Sequence, residues 1–143
     1  MNYLNLDPKK TEATVEQLNV LLADYHIYYQ KLRNFHWNVV GENFFDLHEK
    51  FEEMYNDTLI KIDEIAERIL TLRYQPVSHL SEYLKMANLK ESPSETADLE
   101  MIELLLEDHG KLLTQMRKTV NFADEGGDEG TIDLLGAYIR ELE

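Results

Sequence analysis

From Pro8 to about Val39 the apolar positions fall at Val15, Leu18, Leu21, Leu22, Tyr25, Tyr28, Tyr29, Leu32 and Phe35, the three-to-four spacing of an amphipathic helix. The segment VVGEN, residues 39 to 43, interrupts this pattern at Gly41, and a second helical pattern runs from Phe44 to about Leu72. The second helix therefore returns antiparallel to the first. After Arg73 the stretch YQPVSHLSEYLKMANLKESPSE holds two prolines and several serines around one short amphipathic piece, Leu80 to Ala87. It reads as a crossover carrying a small helix. A third long pattern begins near Ser94, where SETAD offers a cap and first-turn acids. It continues through Leu99, Ile102, Leu105, Leu106, Leu112, Leu113 and Met116 to Phe122. The run DEGGDEGT ends it, and a shorter helix from about Thr131, through Leu134, Leu135, Tyr138 and Ile139, reaches Glu143.

No segment reads as a strand and no repeat is present. Two helical hairpins joined by a crossover of roughly 20 residues predict an all-α fold, a four-helix bundle with one long connection containing a short helix. The 143 residues fit a single domain, residues 1–143.

The wheel of the second helix has three sides rather than two. Glu49, Lys50, Glu53, Asp57, Lys61, Glu64 and Arg68 share a charged side expected to face solvent. Leu47, Phe51, Met54, Thr58, Ile62, Ile65 and Ile69 form the side expected to face the core. The third side mixes His48, Glu52, Asp63 and Glu67 with Tyr55, Leu59, Ala66 and Leu70. Ionised carboxylates among large apolar groups are costly unless paired or bound to a cation, and a second apolar side requires a second partner.

Composition narrows what that cation could be. With no cysteine, disulfides and sulfur-ligated metals are excluded, which leaves histidine and carboxylate as the strong ligands. The 28 acidic residues against 14 basic ones give a net charge of -14, which opposes binding to nucleic-acid phosphates or an anionic membrane. No apolar run approaches the length of a membrane span and the N-terminus has no signal-like apolar core, so a cytoplasmic protein is expected.

His48 with Glu52 and Asp63 with Glu67 are each spaced i,i+4, so each pair can aim two ligands at one point. Within one chain the pairs stand 15 residues apart, roughly 22 Å along a helix, whereas the metals of a two-metal site lie about 4 Å apart. If the second helix packs antiparallel on its own copy about a twofold axis, His48 and Glu52 meet Glu67 and Asp63 of the mate. His36 and His48 sit six residues either side of Glu42, so an antiparallel hairpin sets them level. One subunit would then supply His36, His48 and Glu52, and the other Asp63 and Glu67, a donor set suited to iron(II) or a similar divalent ion, zinc included.

Other readings use the same residues differently. The pairs could be ordinary surface pairs, or the third side could bind a partner helix with no metal at all. A di-iron site inside one bundle would need Glu-x-x-His. The residues three before the five histidines are instead Ala23, Arg33, Phe45, Pro76 and Leu106. His26, His79 and His109 have no carboxylate at useful spacing and read as structural.

The segment LRNFHWNVVGENFFDLHEKFEEMYNDTLIKIDEIAERIL, residues 32 to 70, resembles the signature of the Dps family, the bacterial mini-ferritins. The similarity runs more weakly over nearly all of the chain, including the crossover helix and GDEGTIDLL. The resemblance implies a ferritin-like bundle assembled as a hollow dodecamer, with ferroxidase sites at the twofold dimer interfaces built from His36, His48 and Glu52 of one subunit and Asp63 and Glu67 of its mate. Many members carry Asp where this chain has Glu52. The implied reaction is oxidation of Fe(II) to Fe(III), by hydrogen peroxide in most members, with ferric mineral stored in the cavity as protection against oxidative stress.

Trp37 matches a family Trp near the site that could quench stray oxidising equivalents; its other reading is a core or interface aromatic. Asp124, Glu129 and Asp133 match an acidic iron-entry pore, or else form a solvated acidic loop. DNA-binding members usually carry a lysine-rich tail, whereas only Lys9 and Lys10 stand near this start and the last residues are RELE, which favours iron detoxification without DNA association. Family chains usually continue a few turns beyond this point.

Overall fold

The computed structural model describes residues 2–143; Met1, the first residue of the expected domain, lies outside the described residues. Among the described residues the elements are α1 (Pro8–Asn38), α2 (Phe44–Thr71), α3 (Leu80–Met86), α4 (Asp98–Gly126) and α5 (Glu129–Leu142), with no strand. The expected ferritin-like helical bundle with a short crossover helix is what forms. None of these helices is long and apolar enough to cross a membrane.

Helix α1 starts where Asp7 accepts from the backbone N–H groups of Lys9 and Lys10, with Pro8 at the first helical position, where its missing N–H costs nothing. It is the central element, packing against α2, α3 and α4, while α5 lies on α4. The core is filled by Leu18, Leu21, Leu22, Leu32 and Phe35 of α1, Phe51, Ile65 and Ile69 of α2, Met101, Leu112 and Met116 of α4, and Leu135 of α5. Gly41, at φ +107°, makes the turn into α2 in a conformation that side chains disfavour.

The crossover is held to α1 by polar anchors. Asn19 accepts from the Val77 N–H, and the buried Asp24 carboxylate accepts from the Asn88 and Leu89 N–H groups and the Asn88 side chain. Tyr83 of α3 stacks on His26, ring centroids 4.0 Å apart. Lys31 of α1 and Asp108 of α4 form a buried ion pair at 2.5 Å.

Four expectations are corrected. Helix α4 begins at Asp98 rather than near Ser94, because the Thr96 hydroxyl bonds back to the Pro93 carbonyl and the helical pattern starts only with the Met101 N–H on Ala97. It also runs through DEG to Gly126, ending at Gly127 in the left-handed region at φ +67°, so α5 starts at Glu129 rather than Thr131. The buried side of α4 passes through Met101, Leu105, Leu112 and Met116, which leaves Leu99, Ile102 and Leu106 of the apolar pattern exposed. Lys61, placed on the solvent side of α2, is only 7% exposed, because α5 crosses it and supplies Glu141 and the face of Tyr138 beside Asp57.

Candidate metal centre

His36 lies in the last turn of α1 and is 8% exposed; His48 lies in the second turn of α2 and is half-buried. The α1–α2 hairpin sets them level, as the spacing about Glu42 requires, and their rings stack with centroids 3.8 Å apart and planes 13° from parallel. His36 Nδ1 is 2.6 Å from the His48 carbonyl oxygen, and His48 Nδ1 is 2.7 Å from that of His36. A carbonyl only accepts, so each Nδ1 carries the proton and donates. The His36 carbonyl is free to accept because the last carbonyls of a helix lack intrahelical partners.

This reciprocal pairing fixes both tautomers. In the neutral ring Nε2 then carries the lone pair, the form in which imidazole binds a metal ion. Phe44 stacks on the outer face of His48 at 4.9 Å and Tyr55 meets His36 edge-on at 5.4 Å, so neither ring can turn without losing aromatic contact. The pair fits a divalent cation with nitrogen and oxygen ligands.

Glu52 follows His48 by one helical turn and is exposed. Asp63 and Glu67 are exposed further along the same side of α2. Among the described residues their side chains enter no hydrogen bond or ion pair, and no three histidine or acid groups converge there. Among the described residues one chain thus brings His36 and His48 together, leaves Glu52 one helical turn beyond His48 without gathering it into a three-ligand cluster, and holds Asp63 and Glu67 further along α2. Around these carboxylates Leu59 and Leu70 are exposed, so the third side of α2 remains uncovered in the single chain.

Trp37 is 57% exposed with the Arg33 guanidinium 4.8 Å from its ring, which rules out the core reading within this chain. Asp124, Glu129 and Asp133 are all exposed, at the end of α4 and the start of α5. The acid between them behaves differently. Asp128 is buried, caps α5 by accepting from the Thr131 N–H at 3.1 Å and hydroxyl at 2.6 Å, and pairs with Arg68 at 2.6 Å. A Cβ at Gly130 would lie 2.6 to 2.9 Å from the Arg68 guanidinium, so glycine is required for this approach. Arg68 adjoins Glu67, and it too leaves the expected solvent side of α2 for a half-buried one.

The D-x-x-T spacing of Asp128 and Thr131 is the sequence signal for this cap, and it lies inside the glycine-rich run DEGGDEGT. His109 bonds to the Tyr28 hydroxyl at 2.7 Å. His79 does have a carboxylate at useful spacing, Glu82 at i+3, 2.9 Å away, in an exposed pair at the start of α3.

The helix order and the histidine-and-carboxylate side of α2 define a ferritin-like protein, and the family described as the ferritin-like domain matches residues 15–143. A DNA protection during starvation protein 2 of Bacillus anthracis is 43% identical over 92% of this chain and 90% of its own length. General stress protein 20U of Bacillus subtilis is 37% identical over 93% and 92%. The crystal structure of a Dps protein from Vibrio cholerae O1, described as a member of a broad superfamily of ferritin-like diiron-carboxylate proteins, superposes with a TM-score of 0.95 at 43% identity over 99% of this chain and 89% of that one. A Listeria innocua Dps soaked with zinc superposes with a TM-score of 0.86 at 32% identity, over 90% and 88%. The chain belongs to the Dps family of ferritin-like proteins.

Proposed function

We propose that the protein is a ferroxidase and iron store, a cytoplasmic homododecameric cage that oxidises Fe(II) with hydrogen peroxide at dinuclear sites across its twofold interfaces and retains the ferric mineral inside. The observation that carries this reading is the reciprocal bonding of His36 and His48, which occupies both Nδ1 atoms and leaves both Nε2 atoms available as ligands, one helical turn from Glu52. Antiparallel pairing of the exposed third side of α2 with its copy would bring Asp63 and Glu67 of the mate to those donors and cover Leu59 and Leu70.

The chemistry explains the need for two irons. Peroxide reduced to two waters takes two electrons and two protons, and two adjacent Fe(II) ions supply one electron each, so no one-electron oxidant is released. The imidazoles bind without adding charge, and the carboxylates offset the charge gained as Fe(II) becomes Fe(III). Asp124, Glu129 and Asp133, exposed and unspent on the Asp128–Arg68 pair, would raise the local Fe(II) concentration at an entry pore. Zinc suits the same ligands and would compete with iron. The net charge of -14 supports iron detoxification without DNA binding.

The test is anaerobic addition of Fe(II), then peroxide, with ferric absorbance and the size-exclusion profile followed together for the native protein and the His36→Ala/His48→Ala variant. Rapid oxidation by a dodecamer and background rate in the variant are expected. Oxidation no faster than in protein-free buffer contradicts the proposal.

A further inference from the structure

Away from the metal-ligand face, Tyr28 and His109 meet in the interior of the bundle, both lining a cleft of about 360 Å³ between α1, α2, α4 and α5. The Tyr28 hydroxyl and His109 Nε2 are 2.7 Å apart. Tyr28 is buried and its hydroxyl has no other acceptor among the described residues, so it donates to Nε2; the ring proton of the half-exposed His109 then sits on Nδ1. Burial pushes the Tyr28 hydroxyl above its ordinary pKa, and burial holds His109 below 6.5 although Asp108 opposes this. A protonated phenol therefore faces a neutral base near pH 7.

Phenol oxidation is favourable only if the proton leaves with the electron, and a hydrogen-bonded imidazole is positioned to take it. We propose that Tyr28 and His109 form a proton-coupled redox pair that disarms one-electron oxidants formed when peroxide meets a single Fe(II). The naming of that source rests on the ferroxidase reading. Reduction of peroxide by one Fe(II) gives hydroxide and hydroxyl radical. The hydroxyl radical takes one electron from Tyr28 and becomes hydroxide, the phenolic proton passes to His109 Nε2, and a neutral phenoxyl radical faces an imidazolium. A further Fe(II), oxidised to Fe(III), returns the electron, and the proton moves back.

The route inward would run through aromatic contacts on either side of one step along the α1 backbone, from Tyr29 to Tyr28. His36 touches Tyr55 at 5.4 Å and Tyr55 touches Tyr29 at 5.9 Å; Tyr28 is the next residue of α1 and meets Tyr25 edge-on at 6.2 Å. Of these tyrosines only Tyr28 is hydrogen-bonded to an imidazole among the described residues, so the radical settles there.

The experiment uses the assembled protein and two separate oxidants, each followed by freeze-quench electron paramagnetic resonance. The first is photogenerated ruthenium(III) tris-bipyridine with no iron present; the second is substoichiometric Fe(II) with peroxide. Both are expected to give a tyrosyl radical in the native protein, with an exchangeable-deuteron coupling in D2O and a weak nitrogen coupling after 15N-histidine labelling. Tyr28→Phe loses the signal, and His109→Phe loses both couplings. A radical that survives Tyr28→Phe unchanged overturns the proposal, and so does a radical without 15N coupling in the native protein, a result that depends on no variant's folding. Failure of the iron arm to give the radical while iron is oxidised also overturns it. A ruthenium-generated Tyr28 radical with the 15N coupling, in protein that oxidises no iron, supports the pair and removes the ferroxidase reading.

Discussion

His36 and His48 each donate from Nδ1 to the other's backbone carbonyl, at 2.6 and 2.7 Å, so two residues twelve apart in sequence lock one another's tautomer. The hairpin turn, the helix end and the proposed metal-binding nitrogens are thereby one unit. Replacing either histidine by Ala removes a proposed ligand and leaves a carbonyl without its imidazole partner. Loss of most ferroxidase activity is expected, with about 1 kcal/mol of stability lost per hydrogen bond, a few degrees in Tm and too little to dissolve the cage. Stopped-flow iron oxidation beside a calorimetric melt checks both halves.

The Lys31–Asp108 pair connects α1 to α4 in the core at 2.5 Å. Lys31→Met alone strands a buried carboxylate and should cost about 3–5 kcal/mol, whereas Lys31→Met with Asp108→Leu should recover most of that loss. Denaturant unfolding of the single and double variants decides it; equal destabilisation in both would show that the charges matter less than their packing.

Acid sensitivity follows from His26 and His109. Burial lowers both below their ordinary 6.5, so the folded chain holds them neutral while the unfolded chain takes up protons as pH falls through 6.5. Stability should therefore fall with pH from about 6.5 down to their folded values and level off below them. The buried Asp24, raised above 3.8 by desolvation, acts in the opposite sense, gaining stability as pH falls through its folded value. Comparing the native protein with His26→Phe/His109→Phe cancels the Asp24 contribution, and the slope in Tm between pH 5 and 7 should be shallower in the variant.

Two glycines of the last helix separate packing from propensity. A Cβ at Gly130 would meet Arg68 at under 3 Å, so Gly130→Ala should displace the guanidinium from Asp128 and cost about 1–3 kcal/mol. Nothing lies within 4 Å of a Cβ at Gly136, so Gly136→Ala should stabilise by about 0.5–1 kcal/mol through helix propensity alone. Opposite shifts in the unfolding midpoint are expected, and shifts of the same sign would refute the Arg68 contact.

Much of this architecture was readable from spacing, because long helices with three-to-four periodicity and a glycine turn leave few alternatives. The level placement of His36 and His48 was readable too, since it depends only on their distance from Glu42. What escaped was set by elements distant in sequence. Lys61 and Arg68 carry a solvent-like pattern on α2, yet α5 and the Asp128 turn cover them and supply their counter-charges. Leu99, Ile102 and Leu106 match a helical stripe, but the buried side of α4 is narrower than that stripe. Tyr28 and His109 are 81 residues apart, and no local pattern brings a phenol to an imidazole across two helices.

The central claim is that two chains complete one site, and co-assembly of two inactive variants tests it most directly. His36→Ala/His48→Ala keeps Asp63 and Glu67; Asp63→Ala/Glu67→Ala keeps His36, His48 and Glu52. Each alone should assemble and fail to oxidise Fe(II) above background. Refolded together, every hybrid twofold interface regains one complete site beside one left with Glu52 alone, so peroxide-dependent iron oxidation should return in the mixture. A mixture of confirmed hybrid cages that stays inactive, or either parent assembly that oxidises iron on its own, would contradict a site shared between subunits.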